Sequence, residues 1–219
     1  MRIGQKTRER ACQVRRILHA YHQRGFATAA SDIWLRSGVA AALDLAACSL
    51  PVGLNILVWD GLRTLETQRE IIERFRASVS HLDIAERDDL CRRYVSPLPA
   101  TADAYCKAPP PHTTGGAVDV TLCDHAGCPL DLGADFDEFE EIAWLTAFEG
   151  SHASKLAEED VRRRNRRRTL YWAMIGASFA AYKWEFWHFE LGTRRAAASA
   201  GSPAAVYGGI AYWPQEWSR

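Results

Sequence analysis

The chain has 219 residues, of which 47% are hydrophobic and 25% are charged, an ordinary globular balance. Its 27 basic and 27 acidic residues cancel, so bulk charge gives no reason to expect nucleic acid or an anionic membrane as a partner. The basic N-terminus lacks the apolar core of a secretory signal, and no run approaches the roughly 18 apolar residues that span a bilayer. We therefore expect a single domain over 1–219, located in the cytoplasm, with six free cysteines.

The first half of the chain alternates predicted helices with one strand. Apolar residues at helical spacing predict helices over residues 1–25, 36–50 and 64–78. Residues 54–59 (LNILVW) form a short apolar run of strand-forming residues and predict a buried strand, which Asp60-Gly61 ends with a turn. Cys48 falls on the apolar pattern of the second helix, where we expect it to be a core residue.

The second half begins with the least regular part, residues 79–111, which ends in three prolines that cannot lie inside a helix. Strands are predicted over 117–123 and 182–191, and helices over 136–148 and 151–180. This mixture predicts an α+β fold, in which a small antiparallel-rich central sheet is flanked by helices.

Cys123, at the end of the predicted strand, and His125 and Cys128, just after it, suggest a structural zinc site. They supply only three ligands and lack the paired spacing that such sites use. Asp124 to Gly127 also reads as a turn between two strands, with a partner strand near 129–132. We favour the hairpin.

A basic run covers residues 162–168 (RRRNRRR). It could form a nucleic-acid or phosphate patch. It could also be the solvated face of a helix, paired with the acidic residues at 158–160. The zero net charge and the absence of aromatic residues within the run favour the solvated face.

Two segments carry residues suited to metal chemistry, His112-Thr-Thr-Gly-Gly-Ala-Val-Asp119 and Glu185-Phe-Trp-His188. A catalytic zinc needs about three protein ligands and an open position for water. On one regular strand, His112 and Asp119 would point to opposite faces, because their separation is odd. They can share a site only if His112 lies in a loop that Gly115-Gly116 folds back. His188 is then the candidate for the third ligand.

Glu185 precedes His188 by three residues, again an odd separation. The two side chains can face one site only if an irregular strand end or a bulge intervenes. A glutamate beside a zinc-bound water can act as the general base. The residues alone leave two interpretations open, a catalytic metal site or histidines that belong to the core.

Five blocks in order resemble the D-alanyl-D-alanine dipeptidases, a family of zinc peptidases. His112 to Leu122 is similar to the family pattern S-x-H-x-x-G-x-A-x-D-L-T-L, and Glu185 to Phe189 is similar to E-W-W-H-[FY]. The other blocks are 59–63 (WDGLR), 136–139 (FDEF) and 165–167 (NRR), and together the five cover roughly residues 36–192.

The resemblance implies a role for each matching residue. His112, Asp119 and His188 would bind one Zn²⁺ per chain at the sheet, and Glu185 would be the general base and acid. Arg63 would stabilise the oxyanion, although it could also be a surface cation after a turn. Asp137 would bind the free amine of the substrate, although it could equally cap the helix predicted to follow it.

The implied activity is hydrolysis of D-Ala-D-Ala or a similar small dipeptide. A D,D-carboxypeptidase or another cell-wall peptide hydrolase with the same metal ligands, and a non-catalytic zinc-binding module, are the alternatives. The chain departs from the family pattern at Pro110, Thr64 and Phe186, where the family has serine, proline and tryptophan. Residues 1–35 have no clear counterpart, although 21–25 could supply a pocket wall.

Overall fold

The structure is a computed structural model that describes residues 16–150 and 156–210. Its strands are β1 (Arg16–Ile17), β2 (Asn55–Asp60), β3 (Ala117–Cys123), β4 (Ala180–Tyr182) and β5 (Glu185–Glu190). They form one sheet in the order β1-β2-β3-β5-β4. The short β1 is parallel to β2, and every other neighbouring pair is antiparallel.

Helices flank this sheet. In the described part of the chain they are α1 (Ala20–Gln23), α2 (Ser37–Ser49), α3 (Leu65–Ser78), α4 (Ile84–Tyr94), α5 (Ala102–Lys107), α6 (Glu158–Gly176) and α7 (Arg194–Ser199). Two short 3-10 turns lie at Pro111–Thr114 and Glu141–Ala143. The predicted α+β class with an antiparallel-rich central sheet is confirmed. No helix within the described ranges combines the length and the low polarity needed to cross a bilayer.

The core lies between the sheet and helices α2 and α6. Every residue of β2, β3 and β5 is buried, which is why these strands read as continuous apolar or aromatic runs. Trp187 and Phe189 are among the largest side chains sealed inside. α3 begins where Thr64 accepts a hydrogen bond from the Thr67 backbone N–H, a typical N-cap. The predicted elements over 36–50, 54–59, 64–78 and 117–123 are confirmed.

The helix predicted over 136–148 is wrong. Only the turn Glu141–Ala143 is helical there. The buried guanidinium of Arg167 donates to the backbone carbonyls of Leu132, Ile142 and Trp144, so these groups are satisfied without a helix.

Other boundaries also differ from prediction. The helix expected over 151–180 runs from 158 to 176, residues 151–155 lie outside the described ranges, and β4 begins at Ala180. α4 and α5 lie in the segment read as irregular, and α7 was not predicted. α4 contains no buried residue, so it has no apolar stripe to reveal it, although Asp83 and Glu86 form a capping box at its start.

The helix predicted over 1–25 is confirmed only at α1 and is wrong at Arg16–Ile17. Residues 1–15 lie outside the described ranges. Arg16–Ile17 is a strand that pairs with Leu57 and Val58, and only four residues of α1 are helical. Edge pairing to β2 therefore overrides the helical spacing.

The expectation for Cys48 is also wrong. It is exposed and disulfide-bonded, whereas Cys91, Cys106 and Cys128 are free thiols. Cys48 lies on the outer side of α2, beyond the buried residues Ala46 and Ala47.

The turn after β3 agrees with the hairpin interpretation. The Gly127 N–H donates to the Asp124 carbonyl over 3.0 Å, and the Cys128 N–H donates to the Asp124 carboxylate over 2.9 Å. Cys123 then forms a bridge with Pro129.

Candidate metal centre

The turn before β3 brings His112 back over the sheet. His112 lies in the 3-10 turn Pro111–Thr114, where proline occupies the first position because no backbone donor is needed there. Gly115 closes the turn in the left-handed conformation, with φ of 69°, which favours glycine. Asp119 follows in the middle of β3. This is the folded-back geometry that the spacing of His112 and Asp119 required.

Strand pairing supplies the third candidate ligand. Asp119 is paired with His188 of β5 on one side and with Asp60 of β2 on the other. His188 Nδ1 lies 2.9 Å from Asp119 Oδ1 and 3.2 Å from His112 Nε2. His112 Nε2 lies 3.3 Å from Asp119 Oδ2. All three side chains are buried, and their candidate ligand atoms lie within 4.8 Å of one another.

Hydrogen bonds fix which nitrogen of each histidine faces the group. His112 Nδ1 donates to the Gly61 carbonyl over 2.7 Å, which leaves the Nε2 lone pair free. His188 Nε2 lies 2.9 Å from Glu190 Oε1, which directs its Nδ1 to the same point. Partners of this kind orient metal-binding histidines in proteins.

The distances fit a tetrahedral cation. Two nitrogens bound to one zinc at about 2.0–2.1 Å lie about 3.3 Å apart in a tetrahedron. The corresponding distance between His112 Nε2 and His188 Nδ1 is 3.2 Å. When His188 Nδ1 is deprotonated, the two facing nitrogens and the Asp119 carboxylate can all offer lone pairs to one cation. The donor set therefore fits a metal ion.

The electrostatics around His188 are strongly negative. Burial acts to lower the pKa of His188, but its hydrogen bonds with Asp119 and Glu190 outweigh this and raise the pKa to about 9. Burial likewise acts to raise the pKa of Asp119, but His112 and His188 hold it well below its usual range. A site with this potential attracts cations.

Two buried carboxylates behind the histidines were not identified from the sequence. Glu190 is fully buried and accepts hydrogen bonds from the Thr193 hydroxyl and the Arg195 guanidinium. It follows His188 by two residues, so alternation along a strand could have placed both on one face. Asp60, which we read only as a turn residue, is fully buried and lies 3.4 Å from His112 Nδ1.

An irregularity in the β4–β5 hairpin brings Glu185 to the group. Ala181 pairs with Phe189, but the next residue, Tyr182, pairs with Glu185, so the register shifts at this point. Glu185 Oε2 then lies 3.9 Å from His188 Nδ1. This is the bulge that the separation of Glu185 and His188 required. Burial raises the pKa of Glu185 to about 8.

Arg63 is not a surface cation, and that interpretation is wrong. Its side chain is 9% exposed, and its guanidinium lies 2.9 Å from Asp60 Oδ2 and 3.5 Å from Asp119 Oδ2. It also lies over the ring of Tyr21. Burial acts to lower the pKa of Arg63, but the nearby Asp60 outweighs this and raises the pKa above its ordinary value. The guanidinium is therefore a fixed positive charge beside the group formed by His112, Asp119 and His188.

Asp137 does not cap a helix, and that alternative is wrong. It has a left-handed backbone, with φ of 59°, and the next turn starts only at Glu141. The Tyr21 hydroxyl donates to Asp137 Oδ1 over 3.1 Å, and Arg24 Nη1 donates to Oδ2 over 2.9 Å. Burial raises the pKa of Asp137 to about 7. Segment 21–25 thus helps to form the pocket wall.

These side chains line one cavity of about 150 Å³. Its lining includes the three candidate metal ligands together with Glu185 and Trp187. It also includes Tyr21, Arg63, Asp137, Tyr182 and Arg195. All six residues that sequence analysis proposed for the site line this cavity. The arrangement places Glu185 and the Arg63 guanidinium beside His112, Asp119 and His188, which we call the metal-capable group.

Comparison with known proteins identifies the family of the chain. Residues 24–200 match the peptidase M15 family model, described as D-Ala-D-Ala dipeptidase. A D-alanyl-D-alanine dipeptidase from Synechocystis sp. is 29% identical over 175 residues, which are 72% of this chain and 69% of that protein. One from Escherichia coli is 40% identical over 80 residues, 36% of this chain and 37% of that protein. Since the family model covers most of the chain and the whole candidate site, the chain belongs to this family of metallopeptidases.

Proposed function

We propose that the chain is a zinc-dependent dipeptidase that hydrolyses D-Ala-D-Ala or a similar small dipeptide. The observation that carries this proposal is the convergence of His112 Nε2, His188 Nδ1 and the Asp119 carboxylate in a buried site beside Glu185. Family membership and the names of both relatives support the substrate class.

The donor set is typical of catalytic zinc sites. Two imidazoles and one carboxylate are the ligands of a three-residue catalytic site, which leaves one position open. A zinc ion held by His112, Asp119 and His188 would supply a water of lowered pKa and an electrophile for the peptide carbonyl. We expect one ion per chain.

Glu185 moves the proton in this proposal. Its carboxylate accepts a proton from the attacking water and returns it to the amine that leaves when the peptide bond breaks. Burial raises the pKa of Glu185 to about 8, so the carboxylate holds a proton more readily than an exposed glutamate does. A base of this strength suits transfer in both directions near neutral pH.

Arg63 stabilises the negative charge that develops on the carbonyl oxygen. Its guanidinium is held by Asp60 and by the side-chain oxygen of Gln68, at 2.9 Å and 3.2 Å. A cation that is already fixed and shielded from water costs little reorganisation when charge develops. Positioning by Asp60 therefore contributes to the role of Arg63.

Asp137 binds the free amine of the substrate at the other wall of the cavity. Its side chain is 17% exposed, so its carboxylate can face a small ligand while Tyr21 and Arg24 hold it. The cavity of about 150 Å³ is small, which favours a small ligand over a long peptide. Both features favour a short substrate with a free amino end.

The test is replacement of the base. For Glu185→Gln we expect kcat for D-Ala-D-Ala to fall about 10²- to 10⁴-fold, because general acid–base catalysis contributes about this factor. Zinc content, measured by mass spectrometry, should remain one per chain, since the ligands are intact. Glu73→Gln, an exposed residue of α3, is the matched control and should be fully active.

Two results would contradict the proposal. Full activity of Glu185→Gln would remove Glu185 as the base. If zinc-loaded wild-type protein releases no D-alanine from D-Ala-D-Ala or from mixed dipeptides, the dipeptidase proposal fails. Release from longer cell-wall peptides instead would support a D,D-carboxypeptidase.

A further inference from the structure

The two charged ends of a dipeptide need different partners in the pocket. Near neutral pH a free dipeptide carries an ammonium group at one end and a carboxylate at the other. Asp137 is a suitable partner for the ammonium group. A carboxylate is best bound by a guanidinium, whose planar fork matches its two oxygens.

Four arginines line the cavity: Arg63, Arg92, Arg93 and Arg195. Arg63 is committed to Asp60 and Asp119 beside the metal-capable group. Arg92 has a side chain that is 69% exposed and pairs with Asp89. Arg63 is therefore occupied by carboxylates of the site, and Arg92 extends into solvent. Neither is well placed to bind the carboxylate end of a small ligand.

Arg93 contacts groups that lie outside the metal-capable group, whereas Arg195 contacts His188. It pairs with Asp89, one turn earlier on α4, over 2.5 Å. Its guanidinium lies over the ring of Trp184, 5.1 Å from the centroid. Both contacts hold it against its own helix and the β4–β5 turn.

Arg195 is placed differently. It lies in the first turn of α7, which Thr193 caps. Its guanidinium lies over the ring of Tyr182, 3.8 Å from the centroid, and its side chain is 34% exposed. Its contacts with Glu190 and His188 both use Nη2. A guanidinium has five N–H donors, so a fork anchored through one nitrogen can still present others to a ligand.

Arg195 and Asp137 contact different residues of the site. Asp137 contacts Tyr21, over whose ring Arg63 lies. Arg63 pairs with Asp119, Asp119 contacts His188, and Arg195 contacts His188. Asp137 is thus joined to the metal-capable group through Tyr21 and Arg63, whereas Arg195 contacts that group directly at His188, and both residues line the cavity.

We propose that Arg195 binds the C-terminal carboxylate of the dipeptide and thereby makes the enzyme selective for peptides with a free carboxyl end. This inference rests on the proposed function, since it assigns a further residue to the same substrate. It makes Arg195 a specificity residue, beyond its contact with Glu190.

The experiment measures binding rather than turnover. In zinc-loaded Glu185→Gln protein, calorimetry gives the Kd of D-Ala-D-Ala and of its C-terminal amide. We expect the amide to bind about 10- to 100-fold more weakly, as expected for loss of a charged hydrogen bond. In the double variant that also carries Arg195→Gln, the Kd of D-Ala-D-Ala should rise by a similar factor. The Kd of the C-terminal amide should stay unchanged. Arg194→Gln, the exposed neighbour on α7, is the matched control and should change neither.

If Arg195→Gln weakens binding of D-Ala-D-Ala and of its amide equally and also lowers the zinc content, the proposal is overturned. Arg195 would then only support Glu190. If Arg195→Gln does not fold, Arg195→Lys keeps a positive charge beside Glu190 but lacks the fork. In the Arg195→Lys variant, the difference in Kd between D-Ala-D-Ala and its amide should be smaller, with zinc content unchanged. An undiminished difference in Kd would overturn the proposal.

Failure of the proposed function is a separate result. Wild-type protein that discriminates acid from amide but hydrolyses neither would refute the dipeptidase activity alone. Wild-type protein that hydrolyses both with equal kcat/KM would refute the role of Arg195 alone.

Discussion

The metal-capable group and the wall of the pocket that faces it are built in different ways. His112, Asp119 and His188 lie on paired strands and on the tight turn that enters β3. The wall comes from α1, from the end of α4, from the irregular segment 131–148 and from α7. The first region is fixed by strand register, and the second by side chains that reach across long sequence distances.

This difference separates chemistry from selectivity. Backbone pairing sets the distance between Asp119 and His188 almost regardless of the surrounding side chains. By contrast, Asp137 is positioned by Tyr21 and Arg24, which lie more than 110 residues earlier in the chain. Changes in the wall can therefore alter the substrate while the metal-capable group is retained.

Among the changes that test this comparison between the two regions, the largest effect should come from Asp60, a carboxylate that supports the strand-built region. For Asp60→Asn we expect activity or zinc affinity to fall about 10- to 100-fold, the usual consequence of losing a buried partner of a metal ligand. The neutral amide loses the ion pair with Arg63 and the attraction to His112. Steady-state kinetics and zinc titration measure this loss.

Asp103→Asn is the control for Asp60→Asn, since Asp103 is exposed and paired only with Lys107 in its own helix. Wild-type kinetics and zinc affinity in Asp60→Asn would show that the strands alone position the group.

An intermediate effect should come from Arg167, which anchors the wall. Its guanidinium donates to three backbone carbonyls of segment 131–148 and lies between the rings of Phe148 and Phe186. Lysine cannot serve three acceptors with the same fork. For Arg167→Lys we expect the free energy of unfolding to fall by about 1–3 kcal/mol, because buried carbonyls lose their donors.

The same variant should raise KM several-fold with little change in kcat, since Asp137 lies in the segment that Arg167 holds. Denaturant unfolding and kinetics together measure both effects. A loss of stability with unchanged KM would show that Arg167 serves the core and not the pocket.

The smallest effect should come from the exposed arginines of α6. Arg162 pairs with Glu158 and Glu159 of its own helix, as the solvated-face interpretation predicts. For Arg162→Ala we expect no measurable change in kcat/KM or in the unfolding midpoint, because exposed ion pairs contribute little. Salt-dependent binding of the wild type to nucleic acid, lost in this variant, would instead support a phosphate patch.

Several features could be predicted from sequence because they depend on local patterns. β2 and β3 are continuous apolar runs, α3 has a capped amphipathic pattern, and Gly115 permits the turn that returns His112 to the sheet. Odd separations within the two site segments also predicted a folded-back loop and a bulge. Both predictions are statements about backbone geometry, which short sequence patterns constrain strongly.

The sequence by itself thus determined the α+β class, the main strands and the candidate metal-binding residues with Glu185. Only the tertiary structure decided that 136–148 is not a helix, since the carbonyl partners of that segment come from Arg167 on α6. It also decided that Asp60 and Glu190 are buried behind the histidines, and that Arg195 faces the pocket. These features depend on which distant groups satisfy a buried charge or carbonyl, and local periodicity carries no information about that choice.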